Sequence, residues 1–178
     1  EDHDRAAALL ERVPPAMDRS YEFGRWLVRV KSLPESVVRA RPLLGMSYAW
    51  ALLNSGDLEA AEARLLELEG CLGAASRRGG DHLFESNGVV DAEQLRSLAL
   101  GLSSPRVYLA QTRGDVPGTA EYARRGLELV PEGDHPRRAT GAALLGLARW
   151  ANGELEEAYH TFADALLRMR LSDHLLSV

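Results

Sequence analysis

Residues 145–166 have the sequence LGLARWANGELEEAYHTFADAL, and this stretch decides the fold. Apolar and small residues recur at helical spacing on both sides of Gly153, which is followed by an acid and a leucine. Glycine readily takes the left-handed conformation that ends a helix, and the acid can accept hydrogen bonds from the free N–H groups of the next helix. Gly146 and Ala158 are small enough to let two helices approach closely. The stretch therefore predicts two antiparallel helices joined by a tight bend at Gly153.

The same pattern occurs twice more along the chain. Gly56-Asp57-Leu58 is followed by Ala61, and Gly114-Asp115-Val116 is followed by Thr119. After each bend, small or apolar residues fall at i, i+4 and i+7, a spacing that places them on one helix face. These predicted buried faces are Ala61, Leu65 and Leu68, then Thr119, Ala123 and Gly126, then Ala158, Phe162 and Ala165. We predict tight bends at residues 56, 114 and 153.

The composition supports an all-α fold. The chain has 178 residues, with 30 Leu, 25 Ala, no Ile and 11 Val, so helix-forming residues far outnumber strand-forming ones. The net charge of −5 argues against direct nucleic-acid contact, and no apolar run is long enough to span a membrane. The single cysteine, Cys71, and the lack of a visible signal peptide favour the cytoplasm. We expect the chain to be a fragment of a longer protein.

The copies are unevenly spaced. The second and third glycines lie 39 residues apart, whereas the first and second lie 58 apart. We therefore predict a single repeat domain over residues 1–178 with an inserted loop at residues 70–91, where glycines and polar residues are typical of turns. Pro105 lies within an otherwise helical stretch, so that helix should kink or divide after Ser103-Ser104.

The helix-bend-helix copies resemble the tetratricopeptide repeat, in which helix pairs repeat about every 34 residues. Pro131 ends the helix of the second copy where such a repeat normally ends. The resemblance implies an α-solenoid of antiparallel helix hairpins, wound as a right-handed superhelix. In such a solenoid the first helix of each pair lines a concave groove.

A longer set of motifs resembles the repeat region of MalT-like regulators, the large ATP-dependent LuxR-type transcriptional activators of bacteria. The set includes Trp26-Leu27, Leu33-Pro34, Arg41-Pro42 and Tyr48-Ala49-Trp50-Ala51-Leu52, with Tyr108-Leu109-Ala110 farther along. The resemblance implies that ATP binds only in an N-terminal part of the parent protein and that DNA binds in a C-terminal part. The present sequence contains no phosphate-binding Gly-rich loop, so no cofactor is assigned to it.

The resemblance also implies which side chains line the groove. Mapping the three glycines to one repeat position places five residues of each copy on the groove, the last of them Ala151, and an aromatic ring occurs in each copy. Eight of these residues are our candidates for binding a ligand or partner. These rings either face the groove or pack between neighbouring repeats. The candidate residues are Met46, Trp50, Asn54, Tyr108, Gln111, Thr112, Leu147 and Trp150.

Nothing in the sequence indicates an enzyme. The five histidines stand apart from one another and from Cys71, so neither metal ligands nor catalytic residues are assigned. Four acids match Arg64 at helical spacing and are interpreted as a solvated helix face rather than a catalytic pair, namely Glu59, Glu62, Glu67 and Glu69.

Two functional hypotheses follow. The first is a non-catalytic sensor domain of a bacterial transcriptional regulator, which receives a small-molecule inducer or a protein and contributes to assembly. The alternative is a free-standing tetratricopeptide scaffold that binds a peptide or protein partner in its concave groove. Self-association through exposed apolar faces near Leu171, Leu175 and Leu176 is a further expectation.

Overall fold

The structure, a computed structural model, describes residues 2–12, 20–77 and 92–176 of the chain. Within these ranges the chain is all-α, with no strand, so the predicted fold class is confirmed at that level. The described elements are α1 (Asp2–Arg12), α2 (Ser20–Lys31), α3 (Glu35–Arg39), α4 (Pro42–Ser55), α5 (Leu58–Arg77), α6 (Ala92–Thr112), α7 (Val116–Leu129), α8 (His135–Ala151) and α9 (Leu155–Leu176).

The chain divides into two compact units, Glu1–Leu102 and Ser103–Val178. In the first unit α4 is central and packs against α1, α2, α3 and α5. The largest fully buried side chains of this unit include Leu44, Leu52 and Leu65. In the second unit α8 packs against both α7 and α9, and the end of α6 contributes Val107 to a core with Ala123. That the whole chain forms one repeat domain stays a prediction.

The three predicted bends are confirmed in detail. Gly56, Gly114 and Gly153 have φ values of 82°, 70° and 84°, and they are the glycines with positive φ in the described part of the chain. At each bend the glycine N–H donates to the carbonyl three residues earlier, at 3.0–3.1 Å, and the next N–H donates to the carbonyl five residues earlier, at 2.9–3.0 Å. This pair of bonds is the Schellman motif, which satisfies the last carbonyl groups of a helix.

The acids after the bends divide into two kinds. The Asp115 carboxylate accepts from the backbone N–H of Gly118 at 2.9 Å, and the Asp57 carboxylate accepts from Ala60 at 3.4 Å. Both start the next helix as the sequence predicts. Glu154 has one more methylene group, and its carboxylate accepts instead from the side-chain amide of Asn152. The acid is thus a backbone cap at two bends and a side-chain partner at the third.

Small side chains hold the helix pairs together, as predicted. Ala61, Thr119 and Ala158 are each 2% exposed or less. A Cβ placed on Gly146 would lie 2.9 Å from the ring of Phe162, so the absence of a side chain there lets α8 and α9 pack closely. Arg149 also donates to the hydroxyl of Thr161 at 2.6 Å across this helix pair.

Two expectations are corrected. Helix α5 continues to Arg77, so residues 70–77 of the predicted loop are helical, while residues 78–91 lie outside the described residues. The Ala and Leu residues around Gly70 and Gly73 have high helix propensity, which outweighs two glycines. Helix α6 is also not divided at Pro105, whose side chain is fully buried, so of the two predicted effects only a kink stays a prediction. The proline removes one backbone N–H donor, and its burial helps to offset that loss.

None of the helices in the described ranges combines the length and the apolar character that a membrane-spanning segment needs.

Candidate partner-binding cleft

A cleft of about 240 Å³ opens on the surface of the second unit. It lies where the end of α6, the start of α7 and the end of α8 meet. Its walls are mainly apolar, and few polar atoms face into it. The lining residues are Gln111, Gly114, Val116, Thr119, Leu147, Ala148, Trp150 and Ala151.

The repeated bend places two of these side chains in equivalent positions. Gln111 stands three residues before Gly114, and Trp150 stands three residues before Gly153. Each contributes the backbone carbonyl that accepts from its own bend glycine, at 3.0 Å in both cases. Because the two bends have the same geometry, both side chains are carried on the last turn of a first helix. The side-chain amide of Gln111 therefore forms part of one wall of the cleft, and the indole of Trp150 forms part of another.

The side chains of α8 that line the cleft are well exposed. Trp150 is 62% exposed and Leu147 is 43% exposed, whereas Leu145 on the same helix is buried. A large exposed apolar surface inside a concavity is typical of a binding site. The Trp150 ring is thus available to an incoming group rather than consumed by packing within the described chain.

Hydrogen bonding leaves one polar side chain suited to orient a bound group. The hydroxyl of Thr119 donates to the backbone carbonyl of Asp115 at 2.7 Å, so its donor is already used. Gln111 is exposed and carries both a donor and an acceptor on its amide. The arrangement therefore suits an apolar group that bears a single hydrogen-bonding function.

The structure brings together three of the predicted site residues, namely Gln111, Leu147 and Trp150. Tyr108 and Thr112 are exposed on α6 of the same unit but do not line the cleft, and the Thr112 hydroxyl donates to the carbonyl of Tyr108 at 2.8 Å. Both residues lie within one helical turn of Gln111.

The remaining three predicted residues lie on α4 of the first unit. The amide of Asn54 donates to the carbonyl of Trp50 at 2.8 Å, so it caps its own helix end. The methyl group of Met46 lies 3.4 Å from the position of a Cβ on Gly101, which places it against α6. Met46 and Trp50 are both half-buried, so their side chains are less exposed than that of Trp150.

Sequence reasoning missed four lining residues, namely Gly114, Val116, Thr119 and Ala148, whereas the repeat register does place Ala151 on the groove. Gly114 was recognised as a bend but not as part of a wall. The signal that could have found the others is their position, since each lies within five residues of a bend glycine. A site built around the bends would have included them.

A charged cluster in the first unit was also missed. Arg64 is only 12% exposed at its side chain, and it donates to Glu35 at 2.6 and 3.1 Å and to Glu67 at 2.8 Å. Its guanidinium carbon lies 4.9 Å from the centre of the Tyr48 ring. The hydrogen bonds from Arg64 lower the pKa of Glu35, although burial opposes the shift.

Arg64 itself is thus largely buried, although the acids of its helix were predicted to lie on a solvated face. The cluster joins α3, α4 and α5, and burial raises the pKa of Tyr48. Every charged group in it is matched by an opposite charge nearby, which is the arrangement of a structural ion-pair network.

In the described parts of the chain, no three His, Cys, Asp or Glu side chains converge as a metal site would require. Comparison of the chain with protein-family models, with curated proteins and with solved structures yields no match.

Proposed function

We propose that the chain is a tetratricopeptide-like binding module, a right-handed solenoid of helix hairpins with no catalytic residues of its own. Three bends with similar left-handed φ values, the same two hydrogen bonds and a small, buried residue five positions on support the repeat. The single observation that carries the binding role is the apolar cleft that Trp150 and Gln111 line.

The chemistry of the cleft defines the class of its occupant. Val116, Leu147 and Trp150 offer apolar surface, and Gln111 offers one amide. A volume of about 240 Å³ accommodates an aromatic ring or a branched aliphatic group rather than a large cofactor. We assign the cleft to an apolar side chain of a peptide, or to a small inducer of similar size, that also carries one hydrogen-bonding group.

The wider role that we propose is that of a sensor in a bacterial transcriptional regulator of the MalT-like kind. The motifs Trp26-Leu27, Arg41-Pro42 and Tyr48-Ala49-Trp50 support it. A ligand can regulate such a protein only by binding two arrangements of the repeats with different affinity. The cleft joins three helix ends, so an occupant that spreads or closes them would supply that difference. In this role the module is cytoplasmic and leaves ATP and DNA to other parts of the parent protein.

The binding role is tested by protein-observed NMR with a panel of small aromatic and aliphatic amides. We expect the indole resonance of Trp150 and the side-chain amide resonance of Gln111 to shift together and to saturate. Trp26 and Trp50 provide internal controls, since both lie in the first unit. The assignment is refuted if no resonance of the cleft residues shifts, or if the indole resonances of Trp26, Trp50 and Trp150 shift equally.

Matched variants sharpen the test. Trp150→Ala removes the exposed ring. It should lower the affinity for any amide found in this way by about ten- to a hundredfold, because burial of an aromatic ring contributes roughly 1–3 kcal/mol. Trp50→Ala serves as the control, since Trp50 is on α4 and does not line the cleft. Equal loss in the two variants would contradict binding at the cleft.

The regulator context has its own test, which is the sequence of the parent gene. We expect a phosphate-binding loop upstream and a helix-turn-helix downstream. If both are missing, the role of a free-standing scaffold remains, because the cleft needs no regulator context.

A further inference from the structure

One side of α9 carries a continuous stripe of apolar residues. The stripe residues are Leu155, Tyr159, Phe162, Leu166 and Met169, spaced alternately by four and three residues. This is the spacing of a face that packs along another helix. Tyr159 is 70% exposed, Leu155 63%, Leu166 59% and Met169 57%, so most of the stripe faces outward.

Most of the stripe is distinct from the side of α9 that packs on α8, but Phe162 lies on the border between the two, since it is half-buried and its ring packs on Gly146. Ala158, Thr161 and Ala165 form that packed side, and each is buried. At 100° per residue the packed side and the stripe are neighbouring sectors of one helix. Helix α9 thus uses one sector within the unit and leaves Leu155, Tyr159, Leu166 and Met169 of the stripe exposed in the described chain.

A stripe in this register already docks a helix elsewhere in the same unit. The equivalent residues of α7, counted from its bend glycine, are Val116, Ala120, Ala123, Leu127 and Val130. Helix α8 covers that face, and Leu127 lies so close to Gly141 that a Cβ there would be 2.9 Å from it. The apolar residues of α9 are therefore at positions that this fold uses to bind a helix.

The apolar residues of the stripe are spaced nearly symmetrically about Phe162, since Leu155 and Met169 each lie seven residues from it. If two copies of α9 lie antiparallel, Leu155 meets Met169 of the other copy, and Tyr159 meets Leu166. The dyad then lies near Phe162, whose ring stays packed on Gly146 of its own α8. Such an isologous pairing needs only one self-complementary surface.

The charges beside the stripe fit the same pairing. Glu156 and Arg170 lie on one flank, seven residues on either side of the small, exposed Ala163. In an antiparallel helix pair this flank faces its own copy. Glu156 of each copy would thus stand opposite Arg170 of the other, twice in the dimer.

From these observations we propose that a second copy of the chain docks on the α9 stripe, antiparallel and centred near Phe162 and Ala163. The contact extends over about 15 residues, or about 22 Å of helix. Because a single pair of helices forms the contact, we expect a weak dimer with a dissociation constant on the order of 10 μM. The proposal is independent of the cleft, because none of the stripe residues lines it.

Sedimentation equilibrium of the 178-residue chain, from low to high micromolar concentration, tests the proposal. We expect a monomer–dimer equilibrium that Leu166→Glu abolishes. Leu66→Glu is the matched control, because Leu66 is 56% exposed on α5 and lies outside the stripe. Circular dichroism of both variants establishes that they remain helical. A monomer throughout the range, or equal loss in the two variants, would overturn the proposal.

Charge exchange tests the antiparallel geometry without touching the apolar core of the contact. Glu156→Arg alone and Arg170→Glu alone each place like charges opposite one another, and each should weaken the dimer by about tenfold. An equimolar mixture of the two variants, and the chain that carries both changes, restore opposite charges and should recover wild-type association. Failure of both combinations to recover would exclude this arrangement. Dimerisation that neither single variant weakens would likewise exclude the antiparallel pairing of Glu156 with Arg170.

Discussion

Replacing Gly153 by alanine isolates the energetic contribution of one bend. Its φ of 84° lies in the left-handed region, where a Cβ costs about 1–2 kcal/mol. A Cβ at this position meets no heavy atom within 4 Å, so no steric clash adds to that backbone cost. Alanine also lowers the conformational entropy of the unfolded chain, which stabilises the folded state by roughly 0.4–1 kcal/mol. We therefore expect Gly153→Ala to lower the free energy of unfolding by about 1 kcal/mol.

The same unit offers a matched control in Gly133. A Cβ there also meets nothing within 4 Å, but Gly133 is not among the glycines with positive φ. Gly133→Ala should be neutral or stabilising by up to about 1 kcal/mol, because only the unfolded-state effect remains. Gly153→Asn should cost less than Gly153→Ala, since asparagine tolerates the left-handed conformation better.

Urea unfolding monitored by far-UV circular dichroism measures these differences, and thermal unfolding supports them. A loss of 1 kcal/mol corresponds to about 2–4 °C in the melting temperature of a chain of this size. Gly56→Ala and Gly114→Ala should behave like Gly153→Ala, because their bends have the same geometry. If Gly133→Ala proves as destabilising as Gly153→Ala, the left-handed bend is not the source of the effect and the argument fails.

Three further predictions concern local packing and charge. Gly146→Ala drives a methyl group to 2.9 Å from Phe162 and should destabilise the chain by about 1–3 kcal/mol, measured by urea unfolding. The pKa of Glu35 is lowered by Arg64, so its stabilising contribution is complete above its ordinary pKa and is lost as the pH falls through the lower folded value. Glu35→Gln should accordingly flatten the fall of the urea midpoint between about pH 5 and pH 3, and an unchanged slope would contradict that role. Asp115→Ala removes the cap at the start of α7 and should cost about 1 kcal/mol, whereas Asp115→Asn should largely preserve stability.

The bends could be predicted from the sequence because their cause is local. A left-handed residue at the end of a helix favours glycine regardless of what surrounds it, and the acid at the next position acts within a few residues. The buried faces after each bend were likewise predictable, since they follow from helical periodicity. Gly146 and Phe162 were placed on facing helices for the same reason.

Features that depend on contacts distant in sequence could not be found in this way. Glu67 was predicted as a helical neighbour of Arg64, but Glu35 lies 29 residues away and meets Arg64 only after α3 and α5 pack. The cleft has a similar cause, because Val116 and Ala148 become walls of one space only through the packing of α7 on α8. Pro105 was expected to bend or divide α6, and its burial is a tertiary effect as well.

The central claim is that a small apolar group enters the cleft between the ends of α6 and α8. Intermolecular NOEs from a bound amide of the fragment panel to the protein's methyl groups test it most directly. We predict NOEs to the methyls of Val116 and Leu147, together with contacts to the Trp150 indole. NOEs confined to methyls elsewhere, such as those of Leu166 on α9, would contradict the account.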